Sequence, residues 1–282
     1  MILVADSGST KTNWLVPGGT CIATKGFNPF FHTAETVRIE VQQTAELMAL
    51  ADHITEVYFY GAGCSSEARN QVILDGLQPL FSKASIVIDH DLKAAALATF
   101  DGRPCVSCIL GTGSNSCFFD GQKIDNSIPA LGYILGDEGS GSYFGKQLLT
   151  AFLYHELPSE TNRILEEQYG LTKEKVFWSV YNEPNANVYL AGFSKVLSES
   201  PDTEYIRNLV HEGFLKFFRH HVVCYMREKQ VPVHFVGSLA FHFKDILEAV
   251  AAHFNCELGK VDKQPVFSLL EWHTRSKNQA AY

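Results

Sequence analysis

The chain opens with short apolar runs closed by glycine- or proline-bearing turns. Ile2-Leu3-Val4-Ala5 reads as a strand and Asp6 to Thr12 as a polar, glycine-bearing turn. Asn13-Trp14-Leu15-Val16 reads as a second strand, because four residues before Pro17-Gly18-Gly19 are too few for a helix. Cys21 to Lys25 predicts a third strand that completes a meander. From Thr33 to Ala51 apolar residues recur at helical spacing behind a Thr33 cap. Val57 to Tyr60 predicts a strand ending in Gly61-Ala62-Gly63, and Ser65 or Ser66 caps a helix running to about Leu80. Ile86 to Ile88 has the pattern of a buried strand, and Leu92 to Thr99 that of a short alanine-rich helix.

At Asp101-Gly102 the same programme starts again. Val106 to Leu110 predicts a strand, Gly111-Thr112-Gly113-Ser114-Asn115 a turn, and Ser116 to Phe119 a strand, with a hairpin signal at Asp120-Gly121 before Gln122-Lys123-Ile124. Helical spacing then dominates from Ser140 to about Arg227. A strand at Val233–Val236 runs into Gly237-Ser238 and a helix to about Phe254. Ser7-Gly8-Ser9-Thr10 and Thr112-Gly113-Ser114-Asn115 share one pattern (hydroxyl, glycine, serine, polar) between two short strands. That pattern reads either as an internal duplication or as chance likeness of two turns. The reading places one α/β domain over residues 1–102 and a second, with a helical insertion, over 103–282.

Composition narrows the function. Of 282 residues 46% are hydrophobic and 19% charged, an ordinary globular balance that at this length favours two domains. No apolar stretch approaches the roughly 20 residues of a membrane helix, and no basic segment precedes an apolar one at the start, so a cytoplasmic protein without membrane partner is expected. The net charge of −8, with no Lys/Arg cluster, argues against nucleic acid as a partner. Backbone amides can still hold a small anion. Seven scattered cysteines do not suggest a disulfide framework.

No G-x-x-x-x-G-K-[ST] segment and no Rossmann glycine fingerprint occurs, so neither of those phosphate-binding solutions applies. What remains is a pair of β-hairpins whose tip amides and hydroxyls could contact phosphate, with Asp6 placed to hold Mg²⁺ mostly through water. The plainer reading of Asp6 and Ser9 is a turn that caps its own backbone.

Taken together and in order, Asp6-Ser7-Gly8-Ser9-Thr10-Lys11-Thr12, Gly111-Thr112-Gly113-Ser114-Asn115 and Gly136-Asp137-Glu138-Gly139-Ser140 resemble the N-acetylglucosamine kinase-like branch of the BadF/BadG/BcrA/BcrD ATPase family. That family lies within the superfamily of actin, sugar kinases and heat-shock chaperone ATPases, and the resemblance covers roughly residues 1–245. It implies two ribonuclease H-like α/β domains of duplicated topology, the actin-like ATPase fold, with ATP, Mg²⁺ and sugar in the cleft between them. Gly8, Ser9, Thr10 and Lys11 become the first phosphate loop, and Gly111, Thr112 and Gly113 the second. Ala191 in Ala191-Gly192-Phe193 and Gly237-Ser238 match nucleotide-side segments. Asp91 matches the carboxylate that accepts the alcohol proton, and Asp6 the metal-side acid. Asn28, Asn115 and Asp137 match sugar contacts, with Leu131 and Gly132 in the run beside the sugar. The resemblance also implies a homodimer.

Several positions carry a structural alternative. Asp91 is placed to cap the helix after it, a role compatible with catalysis, with Asp89 the second candidate base and His90 a bystander. Asn28 precedes Pro29 and could serve only a turn, and Glu138 could serve only a helix N-terminus. Cys105-Val106-Ser107-Cys108 has no second pair to complete a zinc set, and His220-His221 in a long helix point about 100° apart. Phe214, Phe217 and Phe218 have core spacing, and the tail from Arg275 is expected to fray. The segment Pro129-Ala130-Leu131-Gly132 lacks the glycine- and tryptophan-rich run of the animal kinases. The expected activity is therefore ATP-dependent phosphorylation of an amino sugar, N-acetylglucosamine at the 6-hydroxyl first. Glucosamine or a muramic-type sugar is the alternative substrate, and an ATPase that activates another enzyme is the alternative class.

Overall fold

The computed structural model describes residues 1–200, 204–226 and 230–280. The chain divides into two units. The first holds residues up to Phe100 together with the C-terminal helix, and the second runs from Asp101 to Lys263.

In the first unit the expected meander forms: β1 (Ile2–Ser7), β2 (Lys11–Leu15) and β3 (Ile22–Lys25) pair antiparallel. β1 pairs in parallel with β4 (Glu56–Gly61), and β4 with β5 (Ser85–His90), giving the order β3-β2-β1-β4-β5. Parallel neighbours need crossovers. These are α1 (Ala34–Gln42) with α2 (Ala45–Leu50), and α3 (Glu67–Leu77). The single helix expected over 33–51 is broken, because Thr44 adopts an extended conformation after the Gln43 cap. Thr33 caps α1 through a reciprocal pair with Thr36. Trp14, Phe27, Phe59 and Phe81 fill the core, and the Trp14 ring N–H donates to Thr24 Oγ1 at 2.9 Å. After β5 comes α4 (Asp91–Thr99).

The second unit repeats this plan. β6 (Cys105–Leu110), β7 (Ser114–Phe119) and the short β8 (Ile124–Asp125) form the meander. The helical insertion contains α5 (Gly132–Leu135), α6 (Gly141–Leu153), α7 (Ser159–Glu167), α8 (Lys173–Tyr181), α9 (Ala186–Gly192), α10 (Ser194–Glu199) and α11 (Glu204–Phe217). A π-helical turn over Phe218–Val222 interrupts the long helix predicted from Glu204 before it resumes as α12 (Val223–Met226); its expected end at Arg227 lies outside the described residues. β9 (Val233–Val236) joins β6 in parallel. α13 (Ser238–His242) and α14 (Lys244–His253), separated at Phe243, lead to β10 (Leu258–Asp262), parallel to β9.

The sheet order is β10-β9-β6-β7-β8, the mirror listing of the first sheet, with each pairing of the same sense. Two five-stranded sheets of one topology in one chain make this the duplicated α/β fold of actin-like ATPases. The duplication is thus carried by ten strands, whereas the sequence offered two short turns.

β10 escaped the sequence reading, because Gly259 and Lys260 interrupt any apolar alternation. The final helix, α15 (Pro265–Ala280), corrects the assignment of 264–282 to the second domain. It packs on α4, β1 and β2. Trp272 meets Phe100 edge-on, His273 stacks on Tyr58 with centroids 3.7 Å apart, and Lys277 pairs with Glu56. The fraying expected from Arg275 is not seen through Ala280, and residues 281 and 282 lie outside the described residues.

None of the seven cysteines forms a disulfide, and Phe214, Phe217 and Phe218 are fully buried as their spacing predicts.

Candidate active site

In open α/β sheets, ligands bind beyond the carboxyl ends of the parallel strands. In the first unit the register aligns Ser7, Gly61 and His90 as neighbours in one row across β1, β4 and β5. The residues following that row are Gly8, Ala62 and Asp91. The Ala62 N–H donates to Ser7 O at 2.9 Å, which ties two of these strand ends together.

The hairpin tip from Gly8 to Lys11 is closed by the Gly8 N–H donating to Lys11 O at 3.0 Å. Buried hydroxyls brace its base: Ser7 Oγ lies 2.7 Å from Thr12 Oγ1 and accepts from the Phe27 N–H at 2.9 Å, while Thr12 Oγ1 donates to Lys25 O. Gly26 presses on the tip. A Cβ there would lie 2.1 Å from Gly8 O and 2.7 Å from Lys11 N. Gly8, Thr10 and Lys11 are exposed and Ser9 and Asp6 half-buried, so the tip is accessible while its scaffold is fixed.

Asp91 is the first residue of α4 rather than its cap. His90 is the cap and accepts from the Lys93 N–H through Nδ1 at 3.2 Å. The Asp91 carboxylate accepts from the Leu92 N–H at 2.9 Å, and burial raises its pKa against the opposing pull of His90 and nearby backbone amides. A half-buried carboxylate whose desolvation outweighs its backbone donors is a stronger base than an ordinary aspartate. Asp89 accepts from the His90 N–H at 2.8 Å. Cys64 lies within the electrostatic reach of both acids.

Asn28 caps its own turn, Oδ1 accepting from the Phe30 N–H at 2.9 Å. It also reaches the loop after β4: a Cβ on Gly63, at φ +82°, would lie 2.4 Å from Asn28 Oδ1. Asn28, Gly63 and Cys64 therefore share the edge that carries Asp91.

The second unit builds the equivalent edge. Gly111 N–H donates to Gly113 O at 3.0 Å, closing the tip. The start of α6 clasps it, with the Gly141 N–H on Gly111 O at 2.8 Å and the Ser142 N–H on Thr112 O at 3.0 Å. Asp137, at φ +58° and 8% exposed, lies beneath. Its Oδ1 accepts from the Ser114 N–H at 3.3 Å and its Oδ2 from the Ser142 hydroxyl at 3.4 Å, while burial raises its pKa against both donors. A Cβ on Gly113 would stand 2.9 Å from Asp137 Oδ2.

Two distant segments reach the same tip. A Cβ on Gly237, at φ +125°, would sit 2.2 Å from Leu110 O, and one on Gly141 would sit 3.2 Å from the Ala191 Cβ. Gly111, Thr112, Gly113, Asp137, Ala191 and Gly237 are thus brought together, with Ser238 exposed at the start of α13. Asn115, half-buried on β7, bonds back to the Ser116 N–H at 2.9 Å. Leu131 is 54% exposed, and a Cβ on Gly136 would meet its Cβ at 3.0 Å; Gly132 stands at φ +72° in open space.

Sequence reasoning overlooked the close-approach roles of Gly26, Gly63 and Gly141. Their glycines were visible, but what each would strike is a matter of tertiary contact. A cavity of about 520 Å³ lined by Tyr133, Lys146, Phe177, Tyr181 and Leu190 includes none of the residues just described. Among the described residues no group of three or more His, Cys, Asp or Glu side chains is arranged to hold a metal ion. Asp6, at the end of β1, suits a Mg²⁺ ion bound mostly by phosphate and water.

Two units of one topology, each ending its first strand in a glycine hairpin, place the chain in the class of duplicated actin-like ATPase folds. No protein-family model and no curated protein matches the chain. A candidate N-acetylglucosamine kinase from Porphyromonas gingivalis superposes with a TM-score of 0.91 at 35% identity, over 98% of this chain and all of that one. A candidate N-acetylglucosamine kinase from Chromobacterium violaceum matches at TM-score 0.66 and 18% identity, over 96% and 98% of the two chains. A candidate N-acetylmannosamine kinase from Listeria monocytogenes matches at 0.52 and 13%, over 98% and 99%; these two share the fold. The chain belongs to the N-acetylglucosamine kinase-like branch of the BadF/BadG ATPase family.

Proposed function

We propose that this protein is an ATP-dependent sugar kinase that transfers the γ-phosphate of ATP to an amino sugar, N-acetylglucosamine at its 6-hydroxyl. The observation that carries the reading is the repetition, in each unit, of an accessible glycine hairpin at the carboxyl end of the first strand, braced by glycines that admit no side chain. The 35% identity with the Porphyromonas gingivalis protein supports the sugar class.

Amides and hydroxyls of Ser9, Thr10 and Thr112 and the Gly113 amide donate to the phosphates. Gly8 and Gly111, whose own N–H groups close the tips, leave room for the phosphates, and Lys11 adds positive charge. Ala191, Gly237 and Ser238 border the nucleotide. Asp6 would hold Mg²⁺ through water, and the ion would supply positive charge against the transferring phosphoryl group. Asn28, Asn115 and Asp137, with Leu131 and Gly132 beside them, orient the sugar. Asp91 accepts the hydroxyl proton as the phosphoryl group arrives, a role suited to a carboxylate whose pKa is raised by desolvation.

The test is a panel of amino sugars and hexoses assayed for sugar-stimulated ATP consumption. A kinase shows strong stimulation by its own sugar, with N-acetylglucosamine giving the highest kcat/KM. ATP turnover indifferent to every sugar would point instead to an ATPase acting on a partner enzyme.

A further inference from the structure

We propose that His221 is a positioning residue that holds the Glu138 carboxylate ready for a hydroxyl of the acceptor sugar. The inference rests on the sugar kinase reading and adds to it His221, which lies in no motif, as the partner of Glu138 in the Gly136–Ser140 motif.

Three independent features lead to it. The first is the π-helical turn over Phe218–Val222, where the long helix takes in an extra residue. Such turns are rare and concentrate at functional positions. Here the widened turn aims His221 inward, leaving it 4% exposed, with its ring stacked on Phe217 at a centroid distance of 5.0 Å.

The second is the approach of the Asp137–Gly139 turn to that helix. A Cβ on Gly139, at φ +73°, would lie 3.3 Å from Phe214 Cδ1 and 3.4 Å from Phe217 Cβ, so only glycine lets the turn lie this close. The approach brings Glu138 Oε2 to 3.6 Å from His221 Nε2. That separation is long for a hydrogen bond, as catalytic contacts often are before substrate arrives. Glu138 keeps 19% of its side chain exposed, beside Gly136 and Leu131. Part of the Glu138 side chain therefore stays accessible while its Oε2 faces His221.

The third is the other ring nitrogen. His221 Nδ1 is buried with no hydrogen-bond partner. A buried lone pair without a donor is tolerable, whereas a buried N–H without an acceptor is costly. The ring is thus held neutral with its proton on Nε2, pointing at Glu138, and burial lowers its pKa in the same sense despite the nearby carboxylate. Neighbouring buried hydroxyls Ser114 Oγ and Ser116 Oγ likewise have no partner. Ser116 shares a sheet face with Cys108 and Phe235, and Phe235 packs on Phe218 at the π turn. Polar atoms left unpaired on this face mark a place prepared for more than packing.

The experiment compares His221→Phe, which fills the site and stacks on Phe217 but cannot donate, with His221→Gln, which keeps a donor, and with Glu138→Gln. With ATP and N-acetylglucosamine, His221→Phe is expected to raise the sugar KM about tenfold and leave the ATP KM within about twofold, with His221→Gln recovering most of the loss. Glu138→Gln should raise the sugar KM similarly, and adding His221→Phe to it should cost little more. A wild-type sugar KM in His221→Phe, an equal rise in both KM values, or fully additive losses in the double variant overturns the proposal. Should His221→Phe fail to fold, a wild-type sugar KM in Glu138→Gln overturns it alone. If the wild-type protein phosphorylates no sugar, the kinase reading itself fails and this inference with it.

Discussion

Gly26→Ala should disable nucleotide use without unfolding the protein. The added methyl group would stand 2.1 Å from Gly8 O, 2.7 Å from Lys11 N and 2.7 Å from the Ser9 carbonyl carbon, all of them backbone atoms of the first hairpin tip. Reaching ordinary contact at 3.4 Å from 2.1 Å requires a retreat of about 1.3 Å, shared between the Gly26 loop and the tip. The loop has little freedom to take its share, because the Phe27 N–H is bonded to the buried Ser7 hydroxyl and Phe27 is 1% exposed in the core. Most of the shift therefore falls on the tip. Overpacking of this kind costs about 1–3 kcal/mol of stability. A misplacement near 1 Å in a phosphate cradle costs on the order of 10² in rate, or about 2.7 kcal/mol of barrier. The assay is steady-state kinetics at varied ATP, with thermal unfolding recorded on the same samples. The contrasting variant is Gly8→Ala, whose methyl finds only Lys11 O at 3.8 Å. It should leave stability unchanged within about 0.5 kcal/mol while weakening ATP use, because the obstruction appears only when phosphate is present. Wild-type ATP kinetics in a folded Gly26→Ala protein would refute the assignment of this tip to phosphate.

Asp91→Asn should lower kcat by about 10²–10⁴ with little change in ATP affinity, measured by single-turnover kinetics and nucleotide titration. Because burial raises the Asp91 pKa, kcat/KM should fall on the acid side at a pH above the roughly 4 of an exposed aspartate; the protonated carboxyl cannot accept the alcohol proton. Asp137→Ala should raise the sugar KM and also destabilise the protein by about 1–3 kcal/mol, because the buried Ser114 N–H loses its acceptor; an unchanged unfolding midpoint would contradict that support role. His273, docked on Tyr58 and bonded to Tyr60 OH at 2.9 Å, has its pKa lowered by burial to about 4 from 6.5. Its native state is neutral while the unfolded chain protonates first, so this contribution is complete above pH 6.5 and is lost as pH falls toward 4. After allowance for partial exposure the loss is about 1–2 kcal/mol, and His273→Phe should flatten the stability curve across that window.

The parts of the fold legible in the sequence are those that local pattern dictates. The hairpin around Gly8 and the strand before Gly61 follow from short apolar runs bounded by glycine, and the alanine-rich helix after Asp91 from its composition. What remained hidden depends on contacts between distant residues. No local signal tells that α15 returns to the first unit, since Tyr58, Glu56 and Phe100 acquire partners more than 170 residues away only on folding. His90 rather than Asp91 caps α4 because the imidazole reaches the Lys93 N–H, a geometry composition cannot reveal. The π turn is equally silent: Phe218-Arg219-His220-His221-Val222 reads as ordinary helix until Glu138 approaches it. The site itself divides in the same way. Its reactive groups lie in recognisable motifs, whereas the glycines that let those motifs pack against Asn28, Ala191 and Leu110 become meaningful only in three dimensions.

Phosphorus NMR of a reaction containing ATP, Mg²⁺ and N-acetylglucosamine follows the proposed phosphoryl transfer itself. The wild-type protein should form one sugar 6-phosphate for each ADP, and on the same timescale Asp91→Asn should form neither product. ADP accompanied by inorganic phosphate alone, or undiminished sugar phosphate from Asp91→Asn, would contradict it.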